Sequence, residues 1–283
     1  AGGAFAALSL LPARGGEPGG GAAARQPRQA LSSVMFAELP LKDFCAEAAK
    51  LAFKGIDLWS PYGECRHLAE AEELGAEGFK KLLKTHGLEV GAWTTYRTKG
   101  NQQGFPGFAE FIGACGGGVV VRESKYGKVG EEGLEAAMAT FFEELKHEIE
   151  LARKHKVRLA IENHSGAILD TLESFRMFTK LNPDPEVVGI ALAPYHPQAR
   201  KVPVEETIRA CGNQLLFFYA WQKGRGTAQL PGHGPTDFKP WLQTLAEQKY
   251  AFWMTPFMHG ELPVDEMAAA VTKAWKHLEP MRF

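Results

Sequence analysis

From Leu31 onward, short apolar runs alternate with longer stretches whose apolar residues recur at helical spacing. "SSVMFAEL" precedes a helical "LKDFCAEAAKLAF", and "GIDLWS" precedes "HLAEAEELGAEGFKKLLKTHG". "LEVGAWTTY" precedes a Gly-rich, weakly helical "FPGFAEFIGAC", and "GGVVVRES" leads into one long amphipathic run from Glu131 to His155. "VRLAIENH" is followed by "TLESFRMFTKL", "VVGIALAP" by "VEETIRAC", "QLLFFYAW" by "TDFKPWLQTLAEQ", and "YAFWMTPF" by "VDEMAAAVTKAWKHL". The strand-like runs are apolar throughout, as buried parallel strands must be, because helices cover one face and a core the other. Eight strand-helix units in about 250 residues predict a single (β/α)8 TIM barrel. A doubly wound sheet would use the same alternation, but no GxGxxG follows the first run.

The first thirty residues break this rhythm. "AGGAFAALSLLPA" is a short small-residue apolar run, and "RGGEPGGGAAARQPRQ" behind it is rich in Gly, Ala and Pro. The run is too short to span a bilayer. It reads as the apolar half of an export signal, with Ala22 to Ala24 as the processing region, and the expected localisation is extracytoplasmic. A low-complexity leader without a targeting role is the alternative, with a cytoplasmic protein behind it. Residues 1–30 are thus assigned to a leader and residues 31–283 to the barrel.

Composition narrows the partners. Among 283 residues, 32 Lys and Arg stand against 33 Asp and Glu, so no basic footprint for nucleic acid is expected. Cys45, Cys65, Cys115 and Cys211 form no CxxC pair, which removes zinc-ribbon and thioredoxin readings. The glycines at Gly116 to Gly118 precede a strand, whereas phosphate cradles follow strands, so they predict a tight helix-to-strand turn.

In a barrel of this type the chemistry stands where strands end and the following loops begin. Those positions hold Glu38; Trp59; Thr94, Thr95 and Tyr96; Arg122, Glu123 and Lys125; Glu162, Asn163 and His164. They continue with Ala193, Tyr195 and His196; Tyr219, Trp221 and Gln222; Thr255, Met258 and His259. A rim this rich in aromatic residues, imidazoles and acids suits a polyhydroxylated ligand, since ring faces stack on C–H surfaces while amides and acids bind hydroxyls. Trp59, Glu123, Lys125, His164, Tyr219, Trp221, Gln222 and His259 are the candidate substrate-binding residues. Glu162 and His164 share one face of their strand, so an acid and an imidazole could both point into the mouth.

The segments "LAIENHSGAILDTLESF", "VGIALAPYH", "LLFFYAWQKG" and "FWMTPFMHGE", with "FKGIDLWS" earlier, resemble the xylose isomerase-like TIM barrel superfamily, the sugar isomerase and epimerase group. The resemblance runs from about Leu31 to the end. It implies a divalent metal held by a Glu, an Asp, a His and a second Glu at the ends of strands five to eight. Carried over, the first Glu falls on Glu162, the Asp on Ala193, the His on Tyr219 and the last Glu on Thr255. One carboxylate with Ala, Tyr and Thr cannot offset the dehydration of a hard cation, so no metal and no other cofactor is expected. A site relocated onto Glu162, His164, His196, Glu123 or His259 is the less economical alternative. The resemblance also puts His196 where relatives have an imidazole in contact with substrate. Glu162 and His196 are therefore the candidate acid and base, with Lys125, Arg122 or an imidazolium left to stabilise an enediolate.

Three functions are open on this basis. The first is an isomerase, epimerase or lyase acting on a sugar or keto-sugar. The second is a non-catalytic sugar-binding barrel. The third, a metal-dependent endonuclease, is disfavoured by the missing ligands and the balanced charge.

Overall fold

A computed structural model of the chain describes residues 28–127 and 132–281. The expected export segment and its processing region lie outside the described residues. Eight parallel strands close into a barrel in chain order: β1 (Arg28–Ser32), β2 (Gly55–Trp59), β3 (Glu89–Thr94), β4 (Gly118–Glu123), β5 (Val157–Glu162), β6 (Val188–Leu192), β7 (Leu215–Ala220) and β8 (Trp253–Pro256). β1 pairs with β8 to complete the ring. Outside it run α1 (Leu41–Lys50), α2 (His67–Glu73), α3 (Gly75–His86), α4 (Phe105–Ala114), α5 (Gly133–Glu144), α6 (Lys146–Lys154), α7 (Leu172–Leu181), α8 (Tyr195–Ala199), α9 (Val204–Cys211), α10 (Lys239–Glu247) and α11 (Val264–Leu278). No helix among the described residues is long and apolar enough to cross a membrane.

The (β/α)8 expectation holds, with local differences. The first strand is "RQALS", not "SSVMFAEL"; Ser33–Phe36 already coils as a 3-10 turn. The apolar character of Val34 to Phe36 comes from packing in the outer core, not from the sheet. The two long helical runs are each broken. Gly75, at φ 69°, separates α2 from α3, and α5 gives way to α6 at Leu145. Gly116 to Gly118 form the expected helix-to-strand turn, with φ values of 109°, 73° and 117° that an L-residue rarely adopts.

Two apolar layers follow from the alternation along each strand. Outward residues such as Ile56, Leu58, Leu159, Ile161, Ile190 and Phe218 pack under the helices. Inward residues such as Ala92, Val121, Ala160, Ala191 and Phe217 fill the barrel. The base is plugged by Trp253, with the Arg28 guanidinium 4.0 Å from its ring centroid. Gly55 and Gly91 lack the Cβ that would collide with that indole. Above the apolar layer the inward residues turn polar, and the site lies there.

Candidate functional site

The deepest polar group is Asp57, a residue outside the strand-end positions from which the candidates were drawn. It lies in the middle of β2, fully buried and facing inward. Its carboxylate accepts the Trp59 indole N–H at 2.7 Å, the Ser32 hydroxyl at 2.8 Å and the Thr94 hydroxyl at 2.7 Å. Burial lifts its pKa from an ordinary 3.8 to about 6, against the pull of those three donors. The sequence does carry a signal for it: an acid in an apolar strand, two residues before an inward Trp, must also face inward.

Glu162 ends β5 in the same interior and is buried. Tyr96 donates its hydroxyl to Glu162 Oε2. Burial first, and the charge of Asp57 second, hold the Glu162 carboxyl well above the usual carboxylate range, which favours its protonated form. The Tyr219 hydroxyl lies beside Glu162 and Thr94 but completes no well-formed hydrogen bond and is buried without a partner.

Beyond this acidic layer the inward row continues through Trp221 and Phe257 into an aromatic mouth. The Trp59 ring stacks on Phe257 at 5.8 Å between centroids and leans on Tyr96 at 5.1 Å. Trp221 stacks on Tyr195 at 4.5 Å and meets the edges of His196 at 5.3 Å and His259 at 5.0 Å. The His164 and His196 rings stand 4.0 Å apart. Burial, then the neighbouring His164 and His259, push the His196 imidazole down to about 3, so it is neutral. Its Nδ1 faces Ser165 Oγ at 3.3 Å, and its buried Nε2 has no partner.

The predicted residues thus fall into groups. His164, His196, Trp221 and His259 come together in the mouth, and Glu162 and Tyr219 below it, with Trp59 touching both layers through Tyr96, Asp57 and Phe257. No hydrogen bond joins Glu162 to His196: Glu162 accepts from Tyr96 and His196 faces Ser165. Glu123 is engaged at the rim, accepting the Arg97 backbone N–H at 3.3 Å with the Arg122 guanidinium 3.8 Å away. Lys125 and Gln222 are not brought into the site. Lys125 pairs with Glu144 of α5 at 2.5 Å, while its backbone carbonyl accepts the Ile168 N–H of the loop after β5 at 2.8 Å. Gln222 is buried but clasps the loop after β7, donating to Leu230 O at 2.7 Å and accepting Thr236 N–H at 2.9 Å. Arg122, the other cation considered for an enediolate, points outward to Glu148 at 2.8 Å.

The donor set does not fit the metal that the fold family implies. Thr255 is buried with its hydroxyl on Pro256 O, Ala193 offers no side-chain donor, and the Tyr219 phenol is held strongly protonated by burial. Among the described residues no three His, Cys, Asp or Glu side chains are placed to hold an ion. One cavity, of about 510 Å³, is a groove between α1 and α11; another, of about 270 Å³, adjoins the rim and is lined by Arg122, Glu123, Ser124, Lys125 and Tyr126 against α5 and α6.

The sequence profile described as xylose isomerase-like TIM barrel matches residues 45–277. No curated protein sequence matches the chain. Among solved structures, the chain is similar to the IOLI protein, solved with a zinc atom, at 17% identity and TM-score 0.70, over 90% of this chain and 99% of that one. It is similar to 3-keto-D-glucoside 4-epimerase YcjR from E. coli at 14% identity and TM-score 0.69, over 90% and 100% of the two chains. D-psicose 3-epimerase, solved in the presence of D-fructose, gives 14% identity and TM-score 0.67 over 88% and 97%. Identities this low carry the fold and no more.

Proposed function

The chain belongs to the xylose isomerase-like TIM barrel family, and from that footing we propose that it is a carbohydrate-processing protein working on a sugar or keto-sugar at the aromatic mouth without a metal. The observation that carries this reading is a set of buried polar atoms left without partners, the Tyr219 hydroxyl beside Glu162 and His196 Nε2 in the mouth. Buried polar groups are costly unless something completes their hydrogen bonds, and a polyol does so. The similarity to sugar epimerases supports the same ligand class.

The chemistry open to this set is proton transfer next to a carbonyl. With its own proton on Nδ1, facing Ser165, His196 offers a bare Nε2 to take a proton from carbon. The C–H electron pair moves to form C=C, and the carbonyl oxygen takes up negative charge. In its protonated form, which burial favours, the Glu162 carboxyl can donate to that oxygen, so Glu162, with Tyr219 beside it, fills the role first expected of Lys125 or Arg122. Reprotonation of either carbon gives the isomer or epimer. Expulsion of a leaving group gives the lyase outcome instead.

One observation favours the second reading, a non-catalytic sugar-binding barrel. An imidazole whose conjugate acid titrates at about 3 is a weak base for a C–H bond. Pure protein incubated with sugars and keto-sugars, followed by NMR, separates the two readings. Turnover that drops at least about a hundredfold in Glu162→Gln, with sugar binding kept, supports the enzyme. Binding without turnover supports the binder, and no sugar binding removes both.

A further inference from the structure

The rim cavity between the end of β4 and the helices α5 and α6 measures about 270 Å³. That is just below the roughly 300 Å³ at which sites for drug-sized ligands begin, so it suits a single small ring. Two donors on its wall are unfilled. Ser124 is 1% exposed, and its hydroxyl is buried with no partner among the described residues. Arg122 is buried too, and its Nη1 donates to Glu148 Oε1 at 2.8 Å. Its Nη2 stands 3.8 Å from Glu123 Oε1, too far for a hydrogen bond. The acids opposite are engaged through one oxygen each. Glu148 takes both Arg97 and Arg122 on Oε1, and Glu144 takes Lys125 on Oε1. Tyr126 completes the wall with a ring that is 55% exposed.

The balance of charge decides which ligand suits this wall. Arg97, Arg122 and Lys125 line the cavity together with Glu123, Glu144 and Glu148. Each of the three cations already has a carboxylate oxygen at 2.5 to 2.8 Å. A phosphate or carboxylate brings acceptors only. To gain a guanidinium it must take one from Glu148, which weakens the compensation of a buried acid. A hydroxyl instead accepts from Ser124 and Arg122 Nη2 and donates to the second oxygen of Glu144 or Glu148, with every ion pair kept. A sugar ring carries several such hydroxyls and a C–H face that stacks on an exposed phenol ring.

We propose that this cavity is an outer subsite for one uncharged sugar ring, stacked on Tyr126 and held through hydroxyls by Ser124 and Arg122. This rests on the reading that the protein works on sugars, and it adds a place for them outside the barrel interior. The subsite borders the mouth on two sides. The Tyr126 ring meets His164 edge-on at 5.0 Å. Arg97, whose backbone N–H donates to Glu123, follows Tyr96, the donor to Glu162.

The test is titration calorimetry with methyl glucoside, fructose, glucose 6-phosphate and gluconate. At least one neutral sugar is expected to bind. Ser124→Ala should weaken that binding about fivefold through the lost hydroxyl. Tyr126→Ala should weaken it about tenfold and Tyr126→Phe should keep it, because the ring face makes the contact. Ser124→Ala removes a hydroxyl without a protein partner, so its melting temperature should equal or exceed that of wild type, which separates loss of the subsite from loss of the fold. Neutral-sugar binding unchanged in both Ser124→Ala and Tyr126→Ala overturns the subsite and leaves the sugar reading standing. Glucose 6-phosphate or gluconate binding more tightly than the neutral sugars, and weakened by Ser124→Ala, overturns the uncharged ligand. If nothing in the panel binds, the sugar reading itself fails and the subsite with it.

Discussion

Trp59 gives its indole N–H to Asp57, two residues earlier on the same strand, at 2.7 Å. The bond joins the acidic layer to the aromatic mouth, because the same indole stacks on Phe257 and leans on Tyr96, which donates to Glu162. A change at Asp57 therefore acts on the mouth through one side chain.

The pH dependence of stability should show Asp57 directly. Its folded pKa, about 6, lies above its ordinary 3.8, so the folded state holds a proton that the unfolded state has released. The stability from that proton is fully present below about pH 4 and is lost as pH rises through 6. The loss is about 3 kcal/mol, because a pKa difference of one between the folded and unfolded states is worth about 1.4 kcal/mol. His196 has the opposite sign: its folded pKa of about 3 is below the ordinary 6.5, so its contribution is present above 6.5 and lost as pH falls toward 3. Because the two oppose each other, the informative quantity is the difference between wild type and Asp57→Asn in urea unfolding from pH 4 to 7.5. Wild type should lose stability relative to the variant across that range, and a constant difference refutes the assignment.

Chelator and metal should leave the protein unmoved. A cation at a hundred times its Kd would add about 2.7 kcal/mol and raise Tm by several degrees. Melting curves with EDTA, Mg²⁺, Mn²⁺ and Zn²⁺ are expected to coincide within about a degree. A tightly held stoichiometric metal in protein purified without chelator would contradict the account of Ala193, Tyr219 and Thr255.

Gln222→Leu should destabilise the loop after β7 by about 1–3 kcal/mol, because Leu230 O and Thr236 N–H lose their buried partner. Sugar affinity should change little. A large loss of affinity with an unchanged Tm would return Gln222 to the binding set.

The floor of the barrel gives a steric prediction. A Cβ at Gly55 would stand 2.5 to 2.9 Å from three atoms of the Trp253 ring. Gly55→Ala should cost about 1–3 kcal/mol through overpacking. Adding Trp253→Leu should cost less than the sum of the two single changes, since the smaller side chain removes the clash. Strict additivity in chemical denaturation would show that the two positions do not touch.

Much of this architecture can be read from sequence because two simple periodicities dominate it. A parallel strand covered on both faces has to be apolar throughout, so "VRLAIENH" and "QLLFFYAW" declare themselves, and the helices follow at 3.6-residue spacing. Strand parity also turns Glu162 inward with Ala160, and Tyr219 with Phe217. The apolar pattern misplaces the first strand because Val34 to Phe36 are as apolar as a strand, yet Met35 and Phe36 are buried in the outer core and Val34 is half-buried beside them.

The directions of side chains just past the strand ends belong to the tertiary structure. Lys125 and Gln222 stand where a rim residue should, yet loop paths turn one to Glu144 and the other to Leu230 and Thr236. The coupling of Asp57 to Glu162 and the ring contacts of Trp221 with His196 and His259 join residues from different strands and loops, far apart in the chain. Local pattern determines which residues face inward; only closure of the barrel decides which of them meet, because those contacts cross between strands whose register no single segment encodes.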